Sequence, residues 1–180
     1  PFPAGFKSVV GGSQSAKNVI TVGNTYPDGT IFPQSSRGPV KDGRLKPEIT
    51  AQGSFVVSTA TFADYFKNTG TSMATPGVAG GLALLYQRYR QLNGPATDPD
   101  NALMKAILCN TATDKGNPGP DYTFGFGFMN LSRAVEVLEA GSYVQNNITT
   151  GADKTFDIPV PANTAQLKVM LYWNDPAASP

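Results

Sequence analysis

The run Gly70-Thr71-Ser72-Met73-Ala74-Thr75-Pro76 holds the residues of this chain best suited to covalent chemistry. It stands where a loop ends and a helical pattern begins. A Ser hydroxyl at a helix N-terminus has unbonded backbone N–H groups beside it and the positive end of the helix dipole behind it. Those groups can stabilise the oxyanion that forms when the same hydroxyl attacks a carbonyl. Gly70 has no Cβ and would let an extended backbone come close. Pro76 is expected in the first turn, where few N–H groups have intrahelical partners. A plainer reading makes Thr71 and Ser72 helix caps, positions that these residue types favour.

The chemistry is incomplete in one respect: none of the 180 residues is a histidine. The usual general base of a hydrolase is therefore missing from the chain, as is the commonest transition-metal ligand. The single cysteine excludes an internal disulfide and any Cys-based zinc site. Cys109, next to Ile107 and Leu108, reads as a small buried apolar residue, since a nucleophilic role would need a His partner. Asp28, Asp42, Glu48 and Asp64 lie in turn-like segments with no shared spacing. They read as solvated turn residues rather than an acid–base pair. Asn147-Ile148-Thr149 is a formal glycosylation sequon. No phosphate-binding glycine signature or EF-hand loop is present.

Composition narrows the field further. Charged residues are 15% of the chain, below the usual share of about 25%. The net charge is +1, so there is no basic footprint for a nucleic acid or a membrane surface. No apolar run approaches the roughly 20 residues that span a bilayer. Pro1 is not an initiator Met, and the chain reads as a piece of a longer one.

The elements that must position Ser72 can be placed from periodicity. Asn18–Val22 is a β-branched run ending at Gly23, and Phe55–Thr59 is a second candidate strand. From Ser72, residues Val78, Leu82, Leu85, Tyr86 and Tyr89 recur at helical steps until Asn93-Gly94-Pro95. The small residues Gly77, Ala79, Gly80, Gly81 and Ala83 suit close packing of this helix on a sheet. A second helix is expected with Asp98 as N-cap and Pro99 at its first position. A third runs from the N-cap Asn130 to Gly141. Thr155–Val160 reads as a short strand, and 167–173 alternates in a period-two strand pattern. A boundary is placed near 141–150, since the remaining 40 or so residues are too few to bury a core.

The seven-residue run around Ser72 resembles the nucleophile signature of the subtilisin-like serine proteases, the subtilases. Three more segments resemble that family in the same order. They are Asn18–Gly23; Phe32–Pro39 followed by Lys46–Ala51, with Gln52 where the family usually has Pro; and Phe124-Gly125-Phe126-Gly127-Phe128-Met129-Asn130. The resemblance covers roughly residues 1–141.

It implies an α/β fold: the C-terminal half of a three-layer α/β/α sandwich with a mostly parallel sheet over 1–141. The opening strands of a β-sandwich (jelly-roll-like) domain would follow over 142–180. It implies that Ser72 is the nucleophile, with its own N–H as one oxyanion donor. Gly70 and Thr71 would border the substrate groove and Met73 would lie beside the leaving group. Pro1–Ala4 would lie near the side-chain specificity pocket. The family's Asp and His precede the nucleophile in the order Asp, His, Ser, so both would lie outside this chain, as would the side-chain oxyanion Asn. Asn18 and Asn24 lack its setting, and Gly77 stands where a non-catalytic His is common.

The expectation is a serine endopeptidase acting on proteins or peptides, inactive without its missing N-terminal half and secreted or held at the cell surface. No organic cofactor is required. Calcium is common in the family, but no complete ligand set is readable here. A non-catalytic pseudoprotease or binding scaffold is the alternative.

Overall fold

The computed structural model describes residues 5–61 and 64–174. The fold is mixed α/β, with a parallel strand pair covered by helices. β1 (Val22–Thr25) pairs parallel with β2 (Ile49–Gln52), in the register Val22↔Ile49 to Thr25↔Gln52. An exposed antiparallel hairpin of β3 (Val56–Thr59) and β4 (Tyr65–Asn68) follows. It leads directly into α1 (Thr71–Asn93), and α2 (Asn101–Asn110) and α3 (Leu131–Glu139) complete the order.

The strand pair is buried at all but its last residue, Gln52. Val22, Ile49 and Ala51 pack against Ala74 and Val78 of α1 and against Leu108 and Ala112 at the end of α2. A second cluster joins the three helices through Leu85, Tyr89, Leu103, Met104, Ile107, Ala134 and Leu138. The apolar stripe expected on α1 is the one that is buried, at Val78, Leu85 and Tyr89. Residues 126–129 extend the sheet beyond β2. Phe126 N–H donates to Glu48 O, Thr50 N–H to Gly127 O and Met129 N–H to Thr50 O, each at 2.9 Å. Gly127, at φ 127°, has no room for a side chain, because a Cβ would fall on the Thr113 carbonyl.

Several sequence expectations are corrected. β1 starts at Val22, not Asn18, and runs through Gly23, which the sequence reading took as its end. The reason is close approach: a Cβ at Gly23 would lie 2.9 Å from Thr50 Cγ2 and 3.2 Å from Pro47 Cγ. The cap of α2 is Asp100, not Asp98, and the helix begins at Asn101 rather than at Pro99. Asp98 is held instead by Arg90, 2.6 Å away. Asn130 does cap α3, its side chain accepting from Arg133 N–H at 3.1 Å.

No strand forms over Thr155–Val160 or over 167–173. A strand exists through its partner's hydrogen bonds, and neither segment meets one among the described residues. Phe156, Ile158, Val160, Leu167, Val169 and Leu171 are all exposed. Pro1–Ala4 and residues 175–180 lie outside the described residues.

Glu48 is the sharpest correction among the charges. It is 5% exposed, not a solvated turn residue. Its Oε1 lies 2.5 Å from Lys46 Nζ and 2.8 Å from Lys105 Nζ, and its Oε2 accepts from Thr21 N–H at 2.8 Å. Two buried ammoniums against one carboxylate leave an excess positive charge. The carbonyls of Val19 and Lys17 absorb it, accepting from the two lysines at 2.9 to 3.1 Å. Burial nonetheless pushes the Lys46 pKa below its usual value, opposed by the bond to Glu48. The cluster pins the approach to β1 against β2 and α2, at the strand ends opposite Ser72. Asp28, Asp42 and Asp64 are exposed, as expected of turn residues.

Candidate active site

The first turn of α1 is placed by the carboxyl ends of the two parallel strands, where open α/β sheets present their sites. After β2 the chain turns at Gly53, whose N–H and that of Ser54 donate to Thr25 O at 3.2 Å each. Gly53 O then accepts the Gly70 N–H at 2.9 Å. A Cβ on Gly53 would fall on Gly70 O, and would come within 2.6 Å of Asn24 Oδ1 and 2.9 Å of Ala74 Cβ. Asn24 is fully buried behind this turn; its N–H donates to Ser35 Oγ at 2.9 Å and its Oδ1 accepts from Ser54 Oγ at 3.2 Å. Thr69 Oγ1 accepts the Phe55 N–H at 2.9 Å, tying hairpin to helix start.

The helix start is not a side-chain cap. Gly70 is the N-cap and no side chain bonds into it, so Thr71 and Ser72 are helical residues of the first turn. Ser72 is exposed, and its hydroxyl has no hydrogen-bond partner among the described residues. Met73 N–H and Ala74 N–H both reach back to Gly70 O, at 3.0 and 3.4 Å, whereas the Ser72 N–H has no backbone acceptor among the described residues. The first turn carries no acidic side chain. A developing negative charge there meets the free N–H and the positive helix end with no carboxylate opposing it.

Pro76 lies deeper than the sequence reading placed it. As the sixth residue of α1 it is in the second turn, and its missing N–H removes the i→i−4 bond to the Ser72 carbonyl. Thr75 Oγ1 donates to Thr71 O at 2.9 Å in the same turn.

Gly70 behaves unlike Gly53. Its φ of 161° is extended backbone, and a Cβ there would meet only Met73 Sδ and Ser72 N, at 3.8 Å each. Nothing inside the fold requires a glycine at this position. The small residues of α1 are corrected in part. Gly81 packs tightly on Leu131 and on Met129 of the segment that extends the sheet, a Cβ there meeting Leu131 Cδ2 at 2.8 Å. Gly77 and Gly80 have nothing within 4 Å. With Ala79, Ala83 and Leu84 they form an exposed small-residue face.

The structure thus places Gly70, Thr71, Ser72 and Met73 in one turn, with Ser72 exposed and the other three half-buried. Gly53 and Thr69, which hold that turn, are not singled out by the sequence, and Asn24, considered there only as an oxyanion donor, is buried behind it. The visible signal was a glycine directly after Gln52. Cys109 is buried away from the turn, and burial pushes its thiol up to about 12. Among the described residues no three His, Cys, Asp or Glu side chains converge, so no residue here is assigned to calcium. Among the described residues no helix is long and apolar enough to cross a membrane.

The profile of the subtilase family matches residues 4–127. The chain is 38% identical over 116 residues to pyrolysin of Pyrococcus furiosus, covering 59% of this chain and 8% of that protein. It is 34% identical over 141 residues to the serine protease AprX of Bacillus subtilis, covering 67% of this chain and 30% of that protein. The structure of the Clostridium perfringens CspB protease is similar with a TM-score of 0.65 and 29% identity, over 74% of this chain and 29% of that one. The chain therefore spans less than a third of each of these relatives.

Proposed function

Because this chain belongs to the subtilase family of serine peptidases, we propose that Ser72 is the nucleophile of a serine endopeptidase whose catalytic Asp and His come from residues outside these 180. In the complete protease the His takes the Ser72 hydroxyl proton as Oγ attacks a peptide carbonyl. The carbonyl oxygen becomes an oxyanion that accepts from the Ser72 N–H. Collapse of the tetrahedral intermediate returns the proton to the departing amine and leaves an ester on Ser72. Water then attacks that ester, with the same His as base, and releases the acid.

The observation that carries this reading is the exposed Ser72 hydroxyl beside its own unbonded N–H, in a turn fixed by the Gly53–Gly70 hydrogen bond. The open space over Gly70 supports a place for substrate backbone at Gly70 and Thr71. Met73, half-buried one residue on, fits a position beside the leaving group. The absence of histidine supports an inactive isolated chain. The exposed face of Gly77, Gly80 and Leu84 fits packing by the missing half of the domain. Residues 142–180 are assigned to the opening of a β domain. The support is that Phe156, Ile158 and Val160, and Leu167, Val169 and Leu171, expose apolar side chains at alternate positions. We assign the protein to the outside of the cell or its surface, acting on proteins or peptides, an assignment supported by the resemblance to subtilases.

The test is peptide hydrolysis by the complete protease. Ser72→Ala should lower kcat by about 10⁶-fold, a magnitude measured on the subtilisin triad rather than derived from this chain. A variant as active as the natural protein would leave the non-catalytic scaffold as the better reading.

A further inference from the structure

The β3–β4 hairpin is largely exposed, and the residue that leads into it, Phe55, is the most unusual of this part of the chain. Phe55 holds φ 59°, a left-handed conformation that large side chains rarely adopt. Its ring is 53% exposed, so burial does not offset that conformation. Two neighbours organise the ring rather than cover it. Tyr26 lies 5.9 Å from it between centroids and is itself packed edge-on to Phe32 at 5.2 Å. The Lys67 ammonium sits over the Phe55 ring, 5.7 Å from its centroid.

Phe55 is also joined to the candidate site. Its N–H is held by Thr69 Oγ1, three residues before Ser72, and it follows Gly53, which binds Gly70, by two. Consecutive Cα atoms are about 3.8 Å apart, so Thr69 and Ser72 lie within about 11 Å of each other. An extended peptide rises roughly 3.3 Å per residue. The Thr69 side chain, its bond to the Phe55 N–H and the Phe55 side chain add about 10 Å, so an extended chain whose carbonyl is at Ser72 reaches the ring within about seven residues. Backbone strain at an exposed aromatic, kept beside a reacting centre by hydrogen bonds, points from the outlier to a ligand.

We propose that the Phe55 ring, backed by Tyr26 and edged by Lys67, receives an apolar side chain of the peptide being cleaved and sets specificity at that position. This rests on the reading of Ser72 as nucleophile. The platform is aromatic and half-open, so it favours aliphatic or aromatic side chains through area burial and ring contact. It is continuous with the turn that holds Gly70, which argues for substrate as the occupant.

The experiment uses the complete protease. It compares kcat/KM for peptides carrying Leu or Phe at successive positions out to the seventh residue on either side of the scissile bond with kcat/KM for a short ester that ends before the platform. Phe55→Gly removes the ring and suits φ 59°, and Phe55→Tyr keeps the ring. At one fixed position the peptide-to-ester ratio should fall about tenfold in Phe55→Gly and return with Phe55→Tyr. A ratio unchanged within twofold at every position overturns the proposal. So does an unchanged ratio accompanied by altered self-association of Phe55→Gly, which would assign the ring to a second copy. Failure of a fluorophosphonate to label Ser72 in the unsubstituted protease would sink the nucleophile reading itself, and this proposal with it.

Discussion

Gly70 donates its backbone N–H to the carbonyl of Gly53 at 2.9 Å, and this bond sets where the first turn of α1 begins. Two glycines meet there for different reasons. Gly53 is glycine because the fold leaves no room above it. Gly70 is glycine although the fold leaves room to spare. Packing explains the first; it does not explain the second, which fits the proposed path of substrate over Gly70.

That difference is measurable by substitution. Gly53→Ala forces a methyl onto the Gly70 carbonyl and against Ala74, and should cost about 1–3 kcal/mol in chemical denaturation. Gly70→Ala should stay within about 0.5 kcal/mol while lowering kcat/KM of the complete protease. Equal stability losses for the two would remove the argument for an open substrate path over Gly70.

The exposed face of α1 makes the opposite prediction. Gly80 has nothing within 4 Å, so Gly80→Ala should stabilise the isolated chain by about 1 kcal/mol through helix propensity alone. In the complete protease the same methyl should be neutral or harmful, because the face is covered there. A denaturant midpoint series on both forms checks this, and equal stabilisation in both would contradict coverage of the face.

Glu48 holds two buried ammoniums together. Glu48→Gln keeps the shape but leaves both lysines uncompensated, and should cost about 3–5 kcal/mol. Lys105→Met, which leaves the Lys46–Glu48 pair intact, should cost clearly less. The denaturation midpoints of the two variants decide the matter, and the reverse order would refute the charge account.

Burial raises the Cys109 thiol from 9.0 to about 12. A raised pKa keeps the proton on, so between pH 7 and 9 the folded protein should offer almost no thiolate. Titration with a disulfide reagent should show no reaction across that range until denaturant is added. A fast reaction rising with a midpoint near pH 9 would mean that the thiol is exposed.

The sequence made the helices legible because each buries a stripe. Val78, Leu85 and Tyr89 fall on one face of α1, and Asn130 both precedes α3 and caps it. The strands were legible only in part: Phe55–Thr59 reads as a strand and β3 forms at Val56–Thr59, whereas the bounds of β1 and the existence of β2 depend on tertiary neighbours. Gly23 looks like a terminator until Thr50 and Pro47 are seen pressed against it. Glu48 looks like a turn residue until Lys105, 57 positions away, is found on its carboxylate. Asp98 looked like a cap because only the fold brings Arg90 to it. At the candidate site, the residues able to react were visible as types and spacing. Of those that hold them in place, Gly53 shows in the sequence only as a glycine after Gln52, and Thr69 takes its role from the bond to the Phe55 N–H.

The central claim is that Ser72 is an activated nucleophile whose base lies outside these 180 residues. The most direct measurement is fluorophosphonate labelling, with the adduct mapped by mass spectrometry, on the complete protease, this chain alone and the Ser72→Ala variant. The account predicts one adduct, on Ser72 of the complete protease, and none on the isolated chain or the variant. A complete, folded protease that takes no label at Ser72 would contradict it, and the helix start would then be a structural turn.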